Sequence, residues 1–306
     1  MNAGNGVQVN SNGAITLDGV SASLNGGRGI NLDNDNVGAS GKITLTNKKG
    51  PALMNDNTTE GVYIQAIGQV QVNGLVSTFN TYGLRIFSSG AGSKVTLTNS
   101  AFSDNSIFGV WVNTPGVIFV DKVDSSFNSG NGARFDNTAD TSGKSTVTVQ
   151  RSSFNFNSAT YGVEIASDNQ VTLNGITANA NIGTGLKVNT STGSGKITLL
   201  SSFGANTFNY NTGIGVSLNA GGAVSLSKVM SSSNTTSGVS ITTAANSPVS
   251  VTCGVFNGNG TYGITVNVGT GAFTLKGVTA VGNTTQDVDF NLGAVYSNVP
   301  ASCGSW

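Results

Sequence analysis

The stretch that decides the fold is Gly61-Val62-Tyr63-Ile64, a glycine followed by an apolar, a variable and an apolar residue. The unit recurs as Gly6-Val7-Gln8-Val9, Gly29-Ile30-Asn31-Leu32, Gly83-Leu84-Arg85-Ile86, Gly109-Val110-Trp111-Val112, Gly132-Ala133-Arg134-Phe135 and Gly162-Val163-Glu164-Ile165. It continues through Gly185-Leu186-Lys187-Val188, Gly215, Gly238 and Gly263 to a last variant, Asp287-Val288-Asp289-Phe290. The steps run from 22 to 32 residues, a period that signals a solenoid. Each repeat carries a second apolar-x-apolar unit, such as Ile15-Thr16-Leu17, Val70-Gln71-Val72 and Ile197-Thr198-Leu199. Strict period two puts each apolar pair on one face of a strand. Strands of this kind bury that face by stacking coil on coil as parallel sheets, each Val, Ile or Leu contributing about 1.5–3 kcal/mol.

A looser third strand, such as Val20–Leu24 or Leu75–Phe79, leads into an asparagine four residues before the next anchor. Asn25, Asn57, Asn105, Asn128, Asn181, Asn211, Asn234, Asn259 and Asn283 keep that place, while Asn80 and Asn157 sit one residue off it. Asparagine tolerates the left-handed backbone of a tight corner, and stacked amides bond as a ladder. The expectation is therefore that asparagine makes one corner and the anchor glycine the other.

The Asn-x-x-x-Gly-apolar-x-apolar register resembles the right-handed parallel β-helix repeats of the pectate-lyase-like superfold, over Asn5 to Leu292. The resemblance implies an all-β solenoid of about twelve coils with three strands per coil. It carries no one activity, because polysaccharide lyases, glycoside hydrolases, phage tail proteins, adhesins and passenger domains share the fold. The expected division is a β-helix over residues 1–293 and a cap over 294–306. Cys253 and Cys303 are the only cysteines. Either they close a loop of about 50 residues, contributing on the order of 4 kcal/mol and implying an oxidising, extracellular setting, or both are buried thiols.

Composition narrows the partners. Charged residues are 9%, net charge is zero and histidine is absent, so nothing points to nucleic acid or to an imidazole base. No apolar run reaches the length of a membrane-spanning helix. The opening Met1-Asn2-Ala3 shows no signal peptide or cap. It reads as the start of a piece of a longer chain, whose bare end coil could stack on another domain or chain.

The variable residue of the anchor unit faces outward. Tyr63, Arg85, Trp111, Arg134, Glu164 and Lys187 break an otherwise bland series and are the candidate ligand strip, suited to a polysaccharide or cell-surface glycan. The competing reading is mutual stacking, with Arg85 and Arg134 about Trp111 and Glu164 paired to Lys187. The second-strand file of Thr16, Thr44, Thr96, Thr148, Thr172, Thr198 and Thr274 resembles ice-binding columns, but Gln71 and Phe119 interrupt it. Short and long turns alternate, and four long ones deliver Lys42, Lys94, Lys144 and Lys196 just before the second strand. Asp33 and Asp35 could form a small calcium turn. Acids are otherwise scattered, and no catalytic set stands out. The primary expectation is a non-catalytic extracellular rod, an adhesin, stalk or passenger-type module. The alternatives are a lyase or hydrolase of an acidic polysaccharide and a purely structural fibre unit.

Overall fold

The computed structural model describes residues 2–36, 41–140, 142–244, 246–290 and 295–303. The expected boundary between residues 293 and 294 lies outside them. Every described element is a strand and every described pairing is parallel, so the chain is a right-handed parallel β-helix of roughly twelve coils. It divides into two units, Met1–Ser145 and Thr146–Trp306.

In the first unit the anchor residues align coil to coil, Val7 with Ile30, Ile30 with Val62, Val62 with Leu84, Leu84 with Val110 and Val110 with Ala133. The second strands align as Ile15, Ile43, Val70, Val95 and Ile118. In the second unit Val163, Leu186, Val216, Val239, Ile264 and Val288 form the first file, and Val147, Val171, Ile197, Val224, Val249 and Phe273 the second. The inward residues are buried except in the terminal coils, where Val7 and Val288 are half-buried, and third-strand Phe102 in the first unit and Phe154, Phe208 and Phe256 in the second are fully buried.

The asparagine ladder is the internal spine. In the first unit it runs Asn25, Asn57, Asn80, Asn105 and Asn128. Each residue's backbone N–H and side-chain Nδ2 both donate to the Oδ1 of the next, at 2.8–3.3 Å. The second unit repeats this through Asn157, Asn181, Asn211, Asn234, Asn259 and Asn283. Asn80 and Asn157 are full members, because a corner one residue shorter or longer still returns the amide to the same place.

Two expectations about the corners are corrected. The left-handed residue is not the asparagine but the one before it: Leu24, Asp56, Phe79, Asp104 and Phe127 in the first unit, with φ of 55–61°. The opposite corner is turned by residues such as Gly74 (φ 75°), Asn99 and Lys122, not by the anchor glycine. The anchor glycine serves close approach instead. A Cβ on Gly83 would stand 2.6 Å from the Gly109 carbonyl oxygen and 2.8 Å from Asn105 Nδ2. The variant Asp287 follows from the same geometry: its Oδ1 accepts the last amide of the ladder, from Asn283 Nδ2 at 2.7 Å.

Cys253 and Cys303 form a disulfide, with Cα atoms 5.4 Å apart. The segment preceding Cys303, expected as a cap, adds one more strand: Val295–Val299 pairs with Ala272–Lys276 and extends the second sheet.

Asn105 is fully buried, and its removal leaves the Asn80 backbone N–H without its acceptor. It also takes the Nδ2 donor from the Ser77 carbonyl and Asn128 Oδ1, while Asn80 Nδ2 keeps the Met54 and Thr78 carbonyls. Asn105→Ala is expected to lower unfolding stability by about 2–4 kcal/mol, read as a lower urea midpoint, because a buried N–H and buried acceptors lose their partner.

Candidate functional site

The first unit carries one face on which outward side chains do more than alternate with the core. Three successive outward positions supply it: the residue before the anchor glycine, the variable residue two after it, and the residue four after it. The parallel register stacks each position on itself, about 4.8 Å apart. The first file brings Glu60 beside Tyr82 and Tyr82 beside Phe108. The second brings Tyr63 beside Arg85, Arg85 beside Trp111 and Trp111 beside Arg134. The third adds Gln65, Phe87, Asn113 and Asp136.

Arg85 is the centre. Its guanidinium lies 4.6 Å from the Trp111 ring centroid, 4.8 Å from Phe87, 5.0 Å from Tyr82 and 5.9 Å from Tyr63. Its side chain is 26% exposed. Arg28 stands 3.8 Å over the other side of Tyr63, and Arg134 lies 5.9 Å from Trp111. The rings also touch one another: Trp111 meets Phe87 edge-on at 5.7 Å and Phe108 at 5.6 Å, and Tyr82 stacks on Phe108 at 6.1 Å. Ring faces are thus turned toward guanidinium groups and neighbouring rings. The mutual-stacking arrangement is realised here.

Charge is balanced from beneath. Glu60, 6% exposed at its side chain, accepts from Arg28 Nε at 3.0 Å and from Arg85 Nη1 at 3.4 Å. Arg28 Nη1 also donates to Asn31 Oδ1 at 3.0 Å, and Arg134 Nη2 donates to Asp136 Oδ2 at 3.1 Å. Arg85 Nε and the Trp111 indole nitrogen are buried without a hydrogen-bond partner. Burial pushes the Tyr63 phenol above its ordinary value, although Arg28 and Arg85 pull the other way.

In the second unit Glu164 and Lys187 stand in register, with Lys187 Nζ 3.0 Å from Glu164 Oε1 and 3.0 Å from the Tyr161 hydroxyl. The bond to Tyr161, reinforced by Glu164, raises the lysine above its usual value against the effect of burial.

The remaining sequence candidates are dispersed. Asp33 and Asp35 face each other closely enough that Asp33 raises the Asp35 carboxyl, and Gln65 Nε2 donates to Asp35. Among the described residues no three acidic, cysteine or histidine side chains gather as a metal cage. Lys42 bonds Gln71, and Lys94 and Lys144 line a cleft of about 510 Å³. Asp140, in the same cleft, is held well below the carboxylate range by the Ser142 hydroxyl and by backbone N–H groups of Ser142, Lys144 and Ser145. The hydroxyl file of the second unit runs unbroken through Thr148, Thr172, Thr198, Ser225, Ser250 and Thr274, but Asn174 and Leu200 lie in the file beside it. Arg28, Glu60, Tyr82, Phe87 and Phe108 were missed by a reading confined to the variable residue. Their signal lay one position before the anchor and four after it.

No protein-family model matches the chain, and no curated protein matches it. Among solved structures, the A-module of the mannuronan C-5 epimerase AlgE6 of Azotobacter vinelandii matches at 17% identity and a TM-score of 0.44. The match covers 95% of this chain and 79% of that one. Likeness at this level does not extend to that enzyme's chemistry.

Glu60→Gln is expected to cost about 1.5–3 kcal/mol in urea unfolding, because two half-buried guanidiniums lose their anion. A second outcome concerns alkaline pH. The folded Tyr63 phenol holds its proton more tightly than in the unfolded chain, so its contribution is complete below about pH 10.0 and is lost as pH rises through the folded value. Tyr63→Phe should therefore make the fall in stability above pH 10.0 shallower, read from unfolding midpoints across the alkaline range.

Proposed function

We propose that the chain is a non-catalytic glycan-binding β-helix of an extracellular surface protein, and that the Arg85 face takes the carboxylate groups of an acidic polysaccharide. The observation that carries this reading is the state of Arg85. A guanidinium has five N–H donors in a planar fork. Here the guanidinium lies 4.6–5.9 Å from four aromatic ring centroids, makes one long bond to Glu60 through Nη1, and buries its Nε–H without a partner, so that the Nη groups are the donors a ligand would meet. Such a group is pre-oriented and already stripped of much of its water, so a planar carboxylate gains paired charge-assisted bonds at little ordering cost. Arg28 and Arg134 extend the donor row along the sheet, matching a polymer rather than a single small anion. The ring edges supply apolar rims beside it. The disulfide supports the extracellular placement, because such bonds persist in oxidising compartments.

The test is retention on acidic polysaccharides, polygalacturonate and alginate, read together with the appearance of new chain ends. The expected result is salt-sensitive binding, weakened about 10- to 100-fold by Arg85→Ala and little restored by Arg85→Lys, since a lysine point charge lacks the fork. Chain ends stay constant. New ends would establish a lyase or hydrolase instead, and binding indifferent to Arg85→Ala would remove this face from the account.

A further inference from the structure

Phe79 is the least expected residue on the surface of the first unit. Its φ of 58° is a conformation that favours glycine or asparagine, yet it is a bulky aromatic with 60% of its surface exposed. The backbone is fixed on both sides. Thr78 bonds Asn55 through its N–H and hydroxyl, and Asn80 is locked in the buried ladder. The ring is therefore held out rather than left loose, and among the described residues no other ring and no cation covers it.

Its neighbours one coil away on either side are Asp56 and Asp104, in the same conformation and exposed. Their carboxylates make no hydrogen bond or ion pair among the described residues. Two coils away, the same turn position carries Leu24 and Phe127, both 57% exposed. An apolar rung thus recurs about every 9.6 Å with a free carboxylate between rungs. A cavity of about 480 Å³ lies over Phe79, lined also by Asp56, Thr58, Thr81, Asp104 and Ser106. A second, of about 310 Å³, lies over Leu24 and shares Asp56 and Thr58 with the first, so one groove follows the turns.

The chemistry of this groove is opposite to that of the Arg85 face. It offers apolar planes and oxygen acceptors and, among the described residues that line it, no cation. The Thr81 and Thr58 hydroxyls already donate to backbone carbonyls, of Thr58 and Asn25, which leaves their lone pairs outward. A complementary ligand has a flat apolar face, many hydroxyl donors at its rim, no negative charge and an extended, regular form. We propose that the groove over Leu24, Asp56, Phe79 and Asp104 binds an uncharged polysaccharide, its sugar rings lying on the apolar rungs and its hydroxyls donating to the carboxylates beside them. The groove shares no residue with the Arg85 face.

The experiment is calorimetric titration of the full chain with cello-, xylo-, manno- and laminari-oligosaccharides at low and high salt. At least one should bind with an affinity indifferent to salt, since no charge pairing is involved. Phe79→Asn should weaken that binding tenfold or more without lowering the urea midpoint, because asparagine accepts the left-handed backbone that phenylalanine resists. Asp56→Asn and Asp104→Asn should each weaken it, and Arg85→Ala should leave it unchanged. Failure of every neutral oligosaccharide to bind, or binding that survives Phe79→Asn, would overturn the proposal. So would binding of oligolysine alone at low salt, which would make the groove a site for a basic peptide.

Discussion

The structure depends on a contact only glycine permits: an asparagine amide of one coil seated against the bare Cα of an anchor. Within the ladder an amide accepts two hydrogen bonds through Oδ1 and donates through Nδ2 in both directions, as Asn105 does forward to Asn128 Oδ1 and back to the Ser77 carbonyl. That arrangement satisfies buried polar groups which would otherwise cost about 1–3 kcal/mol each. It also fixes coil-to-coil register, since a one-residue slip would drive a Cβ into a carbonyl oxygen. Where the ladder ends, at Asp287, the glycine is replaced and a carboxylate takes the terminal bond.

Fixed register turns the outside of each unit into files of identical position, and the two candidate surfaces of the first unit use them in contrary ways. Around Arg85 the outward side chains lean on one another, so that rings cover cations and a nearly buried glutamate balances two of them. At the turns Asp56, Phe79 and Asp104 have no side-chain partner among the described residues, on backbone that resists them by about 1–2 kcal/mol per non-glycine residue. A net charge of zero thus conceals a basic face and an acidic groove on one unit. Strain of this kind persists where the surroundings over-determine it, and here the ladder does so.

The architecture was legible because period-two burial and a glycine anchor are both one-dimensional signals. The strand registers follow from aligning Gly61, Gly83 and Gly109, and the structure keeps them. The corners were harder. Asparagine is enriched there for its amide and not for its backbone, so the residue before it, with no compositional signature among Leu24, Asp56 and Phe79, takes the left-handed turn. The candidate face was half legible. Tyr63, Arg85, Trp111 and Arg134 emerge from a single outward file, whereas Glu60 and Tyr82 belong to the file beside it and become neighbours only once coils are stacked. That Trp111 faces guanidinium groups and rings is a matter of side-chain packing, which sequence spacing does not encode.

The most direct measurement is the arginine Nε–H spectrum of the folded chain, recorded by NMR during titration with a short oligogalacturonate. The Arg85 signal is expected to move first and furthest, with Arg28 and Arg134 following, while the oligosaccharide keeps its length. An unmoved Arg85 signal with shifts elsewhere, or shortening of the oligosaccharide, would contradict the binding proposed for this face.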